Sequence, residues 1–150
     1  MAIQPAGSSE AADTAIPPLK YLSISKAKQG SEYLSETLHG QHADSDLVSG
    51  VYEGGLKVWD CSFDLVDYVF QNGAARFAGK RVIELGCGQG LPGIMALKVG
   101  AAKVVFQDFN AEVLNKATKP VIEMNLDGTA GLSDGDSSYT LLPGAWQDLT

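Results

Sequence analysis

The strongest periodic signal along the chain is helical. In WDCSFDLVDYVFQNG, residues 59–73, Phe63, Val66 and Phe70 share one face, with Leu65 and Val69 beside them and Asp64 and Asp67 turned away. Asn72-Gly73 is the expected stop. KRVIEL then forms a short, branched, mostly apolar run, as expected of a parallel strand buried on both faces. It breaks into Gly86, Gly88 and Gly90 and resumes as a helix, with Pro92 suited to the first turn and Gly100 to the far end. KVVFQD, residues 103–108, is a second strand of the same kind. Asn110 suits the cap of a helix carrying Val113, Ala117 and Val121 on one face, and Pro120 should kink or split it. DGTAGLSDGDSS has the composition of a surface loop, and SYTLL that of a third strand. The predicted strands therefore lie near 80–85, 103–107 and 138–142, and their alternation with helices predicts an α/β fold with a parallel sheet.

The first 45 residues follow no such pattern. Residues 1–18 are rich in Ala, Ser and Pro and are expected to form a disordered tail. Residues 19–45 read as an N-terminal extension: LKYLSISKAK fits a short strand, and Tyr33, Leu34 and Leu38 stand at helical spacing. At 150 residues and 45% apolar content, one domain is expected, occupying residues 46–150. A net charge of -7 argues against a broad grip on nucleic acid or on an anionic membrane. There is no signal-like N-terminus and no run of 18 apolar residues, so a soluble protein of the cytoplasm or nucleus is expected. Cys61 and Cys87 form no CxxC pair and are read as free thiols.

The glycines carry the first chemistry. Glycine allows a sharp turn at positive φ and the close approach of a ligand, and these three stand just past a strand end, where open α/β sheets bind ligands. A dinucleotide fingerprint counted from Gly86 needs its third glycine at position 91, which is Leu91. That counts against an NAD-dependent dehydrogenase. The spacing GxGxG after an acid, Glu84, instead resembles the first motif of the S-adenosylmethionine (SAM) methyltransferases with a Rossmann-like fold. The resemblance implies glycines beneath the cofactor and an acid on its ribose, and Asp108 ends the second strand where that acid belongs.

Upstream, GVYEGGLKVWDCSFDL is more distinctive. Gly54 and Gly55 permit a tight turn, and Trp59 before the helix reads either as a pocket wall or as a core anchor. Together with ELGCGQGLPGI, FQDFN and PGAWQDL, this stretch closely resembles the protein-histidine methyltransferase family, relatives of the lysine-directed enzymes, over residues 45–150. The resemblance implies methyl transfer from SAM to a histidine ring nitrogen of a protein, a large-subunit ribosomal protein being the family's target. It places Lys57, Val58, Trp59, Asp60 and Cys61 along the cofactor, and Glu84, Gly86, Gly88 and Gly90 at the loop. Gln107, Asp108, Phe109 and Asn110 are placed around ribose and adenine, and Gly144, Ala145 and Trp146 beside the base. Ala145 departs from the acid usual before that tryptophan, so no side-chain hydrogen bond is expected there. No catalytic residue is assigned.

Other signals read plainly. His39 and His42 are too few for zinc, which takes four ligands or three and water, and no metal is expected. Asp134-Gly135-Asp136 lacks the later acid of a calcium loop and reads as a turn. Cys87 has no cationic neighbour in sequence to make it a nucleophile. Enzymes of the resembling family have a seven-stranded sheet, whereas only three strands are predicted here. The expected architecture is thus a Rossmann-like methyltransferase fold truncated after its third strand, an N-terminal part that is marginally stable and weakly active alone. Histidine methylation leads, with lysine methylation and a non-catalytic SAM-binding module as alternatives.

Overall fold

The computed structural model describes residues 16–23, 47, 50–126 and 137–149. The helical spacing at Tyr33, Leu34 and Leu38, His39 and His42, and the Asp134-Gly135-Asp136 turn lie outside the described residues. Helix α1, Asp60–Arg76, leads into strand β1, Arg81–Leu85, helix α2, Leu91–Lys98, and strand β2, Lys103–Asp108. A helix then runs through α3, Ala111–Val113, a π-helical turn, Leu114–Thr118, and α4, Lys119–Asn125, before strand β3, Tyr139–Pro143, and a 3-10 turn, Trp146–Asp148. The strands are parallel in the order β1-β2-β3, with Val82 beside Val104 and Val104 beside Tyr139. The α/β class with a parallel sheet follows the expectation, and all three strands fall within a residue or so of their predicted places.

Three local expectations change. Helix α1 does not stop at Asn72-Gly73 but continues to Arg76. Gly73 is buried in it, and a methyl there would lie 2.6 Å from Val99 Cβ, so this glycine serves the approach of α1 to the end of α2. The split expected at Pro120 takes the form of a π-helical turn, Leu114–Thr118, that divides the helix into two α segments ahead of the proline. A proline cannot donate to the carbonyl four residues back and its ring crowds that carbonyl. The chain accommodates this with a π turn, in which the Lys119 N–H reaches the Leu114 carbonyl, five residues back. Third, Ile16, Pro17 and Pro18, assigned to the tail, border a small cavity with Phe63, Val66 and Leu91.

The core lies on one side of the sheet. Val104 and Phe106 of β2 are fully buried with Ile94 and Met95 of α2 and with Leu114, Val121 and Ile122. On the opposite face Ile83 and Leu85 are 52% and 51% exposed. Strand β1 is thus not covered on both faces, as its apolar run predicted, because the described helices pack on the Val104–Phe106 side. A second, smaller cluster of Tyr52, Leu56, Val113 and Ala117 seats the glycine-rich segment before α1 against the helix after β2. Among the described residues no helix is long and apolar enough to cross a membrane.

Candidate cofactor site

The loop between β1 and α2 takes its shape from its glycines. Gly86, Gly88 and Gly90 have φ of 62°, 51° and 75°, a left-handed region that residues with a Cβ rarely adopt, so GxGxG is a conformational requirement. The backbone is then held from below. Gly88 N–H donates to Asp108 Oδ2 at 2.9 Å, and Cys87 N–H to the Gln107 carbonyl at 2.8 Å. The Thr118 hydroxyl, presented by the π turn, donates to the Gly88 carbonyl at 2.5 Å.

Gly55, of the Gly54-Gly55 turn, packs on this loop. A methyl at Gly88 would lie 2.9 Å from the Gly55 carbonyl, and one at Gly55 would lie 3.1 Å from Asp108 Oδ2. Two glycine-rich stretches some thirty residues apart therefore meet backbone to backbone, and neither tolerates a side chain there. The turn at Gly54, with φ of 77°, leads into Trp59, whose indole N–H donates to the Gly54 carbonyl at 3.2 Å. Trp59 is 47% exposed, with the Lys57 ammonium 5.1 Å from its ring centroid, so it is a wall residue and not a core anchor.

Between these stretches lies a cavity of about 500 Å³. Its lining includes Lys57, Val58, Trp59, Gly86, Gly88, Gly90, Asp108, Phe109, Gly144, Ala145 and Trp146, all singled out in the sequence. It also includes Glu53, Ser62, Cys87, Gln89, Leu91 and Gln147, none of which the sequence assigned to the cofactor. Glu53 and Gln89 flank quoted motifs, but only the fold turns them toward the cavity. Nothing lies within 4 Å of where a Cβ would stand on Gly86 or Gly144, so both face open space.

Asp60, Cys61, Glu84, Gln107 and Asn110 are not among the lining residues. Asp60 and Cys61 open α1 and are exposed. Glu84 lies beneath α2, where its Oε2 accepts the Gly93 N–H at 2.8 Å. Gln107 is fully buried and acts as a bracket: Oε1 accepts from Gly86 N–H at 3.2 Å and from the Trp146 indole at 3.0 Å, and Nε2 donates to the Gly144 carbonyl at 2.7 Å. It ties the glycine loop to the far wall from behind. Asn110 occupies the helix cap position without capping; its Nδ2 donates instead to the Val51 carbonyl at 2.7 Å, and its Oδ1 is buried without a partner.

The electrostatics separate the acids by role. Burial pushes the Glu84 carboxyl up to about 8, the Gly93 N–H opposing and the Asp108 charge adding, so at neutral pH it is mostly protonated. Asp108 is also raised by burial, against hydrogen bonds from Gly88 and Asn110. Burial and the charges of Glu84 and Asp108 push the Cys87 thiol up, which leaves it unreactive. The cavity thus offers a carboxylate with lone pairs to spare, open backbone at Gly86 and Gly144, and indole and phenyl rings at its mouth. That set suits a flat heteroaromatic base joined to a diol-bearing sugar.

The sequence matches the lysine methyltransferase family over residues 43–138. It is 45% identical over 117 residues to the Bos taurus histidine protein methyltransferase 1 homolog, covering 73% of this chain and 31% of that protein. The Mus musculus homolog is 41% identical over 128 residues, covering 83% of this chain and 34% of that one, and the Dictyostelium discoideum homolog is 48% identical over 81 residues, with 54% and 26% coverage. The chain therefore spans about a third of the length of the curated relatives it matches. Among solved structures, the Trypanosoma brucei PRMT1 enzyme-prozyme complex with AdoHcy aligns at 25% identity with a TM-score of 0.44, over 57% of this chain and 24% of that one. The chain belongs to the lysine methyltransferase family, and among its relatives are homologues of histidine protein methyltransferase 1.

Proposed function

We propose that the cavity binds SAM and that the protein of which this sequence is characteristic transfers the cofactor's methyl group to a histidine side chain of a protein, a large-subunit ribosomal protein being the favoured target. The observation that carries the cofactor assignment is the convergence of the positive-φ glycines, the Asp108 carboxylate and Trp146 on one cavity. Histidine is favoured over lysine by the named relatives.

In this reading the cofactor supplies an electrophilic methyl on sulfur, and the residues of the chain bind and orient it. Asp108, steadied by Gly88 and Asn110 N–H groups, accepts the ribose hydroxyls with its remaining lone pairs. Phe109 and Trp146 flank the base, the indole held in place by its bond to Gln107. The cavity floor at Gly86 admits the ligand where a Cβ would project. Lys57 to Trp59 close the other side and exclude water from the reacting end. The acceptor imidazole must arrive neutral at the attacking nitrogen. A site of action in cytoplasm or nucleus belongs to the same proposal.

The test is methyl transfer from SAM with a labelled methyl group to a ribosomal protein fraction, followed by hydrolysis and chromatography. Labelled methylhistidine is the expected product. Methyllysine would move the assignment to the lysine alternative, and cofactor binding without transfer would favour a binding module.

A further inference from the structure

Residues 16–23 form a strap without regular secondary structure, yet its backbone at Lys20 and Leu22 is hydrogen-bonded as though to a neighbouring strand. The partners are two buried side-chain amides. Asn125 accepts the Lys20 N–H at 2.8 Å and donates to the Lys20 carbonyl at 2.7 Å. Gln89 accepts the Leu22 N–H at 2.8 Å and donates to the Leu22 carbonyl at 2.9 Å. Lys20 and Leu22 are two residues apart, so in an extended chain their polar groups face the same way and one surface can satisfy both. Leu22 packs against both apolar clusters, and Tyr21 lies edge-on to Phe63, with 5.5 Å between ring centroids.

Gln89 differs from Asn125 in what else it holds. It is the fourth residue of the glycine loop, 3% exposed, and it lines the cavity. Its Nε2 also donates to the Leu56 carbonyl at 2.6 Å, and the Leu56 N–H donates to the Tyr52 hydroxyl at 3.0 Å. Leu56 is thereby pinned on both sides, immediately before Lys57, Val58 and Trp59 of the cavity wall. The described side-chain anchors of the loop at Gly86 and Gly88 come from β2 or the π turn. The Gln89 amide ties the loop to the opposite wall, and the strap supplies the acceptor and donor that fix the orientation of that amide.

We infer that Gln89 is a positioning residue for the cofactor and that the strap, which does not line the cavity, acts on cofactor affinity only at Leu22, where it holds the Gln89 amide. The inference rests on the SAM reading of the cavity. Removing the amide frees Leu56 and lets the two walls separate, whereas loosening the strap at Asn125 leaves the Gln89–Leu56 bond in place. Coupling is reciprocal, so the cofactor must in turn protect the strap.

The experiment is calorimetric titration of the chain with S-adenosylhomocysteine (SAH), with melting temperatures recorded alongside. Gln89→Met, close to isosteric but without the amide, is expected to weaken SAH binding about tenfold. Asn125→Leu is expected to lower the melting temperature while leaving affinity within about twofold. Equal affinity for Gln89→Met and the unsubstituted chain would overturn the inference, as would losses of affinity in both variants that simply follow their losses of stability. Amide exchange on the unsubstituted chain decides the matter without a variant: saturating SAH is expected to slow exchange at Leu22 more than at Lys20, and unchanged exchange at Leu22 would also overturn it. Absence of SAH binding to the unsubstituted chain is a distinct result, which overturns the cofactor reading itself.

Discussion

Gly93 performs the packing that a dinucleotide fingerprint assigns to its third glycine. A methyl there would lie 2.4 Å from Phe106 Cε1 and 2.6 Å from Glu84 Oε2, while Leu91, at the fingerprint position, is a buried core residue. Gly93→Ala is therefore expected to destabilise the fold by about 1–3 kcal/mol, the usual range for overpacking, as read from denaturant melts. Glu84 beneath it predicts a pH dependence. Its carboxyl titrates near 4.5 when free and near 8 in the fold, so between those values the folded state binds more protons than the unfolded one. Its contribution is fully present below the lower value and is lost as pH rises through the upper. Glu84→Gln keeps an acceptor for Gly93 and removes the titration. The variant should match the parent near about pH 4 and melt several degrees higher near about pH 9, and equal melting at both would refute the assignment. At this scale the sequence discloses what depends on local spacing: the three loop glycines and Asp108. It conceals Gln89 and Asn125, and the bracketing role of Gln107, because an amide's role is set by partners that the fold delivers from 21 to 105 residues away.

Among the elements, α1 and the helix after β2 are where local rules yield to tertiary contact. Gly73 reads as a helix stop, but a buried helix face that must approach Val99 has its own need for a residue without a side chain. Two effects oppose each other in Gly73→Ala: about 1 kcal/mol of helix propensity is gained, and about 1–3 kcal/mol is lost to overpacking. With 2.6 Å to a branched Cβ the clash prevails, and a lower unfolding midpoint is expected. Pro120 was legible as a disturbance; its form was not. The π turn brings Thr118 under the glycine loop, where its hydroxyl satisfies the buried Gly88 carbonyl. Thr118→Val keeps the shape and removes the donor, and should cost about 1–3 kcal/mol of stability in the same melts. The strands were legible because buried parallel strands are short, branched and apolar. The coverage of β1 was not, since an apolar run reads the same whether one face or both are covered.

On the scale of the whole molecule, the described helices shield one face of the sheet, and β1 presents Ile83 and Leu85 on the other. With β1 at the edge of the sheet among the described residues, such a surface invites edge-to-edge association. Light scattering across a concentration series should show reversible self-association of the chain, reduced by Ile83→Lys; a monomer at all concentrations would contradict this. The site lies apart from that face, where the two glycine-rich stretches meet over Asp108, and binding alone tests it. The most direct measurement is calorimetric titration of SAH into the chain and into Asp108→Asn. The predicted result is one site per chain, weakened about 10- to 100-fold by the substitution, because one acceptor of a charge-assisted pair becomes a donor. No binding of SAH, or equal binding by Asp108→Asn, would contradict the assignment of this cavity to SAM.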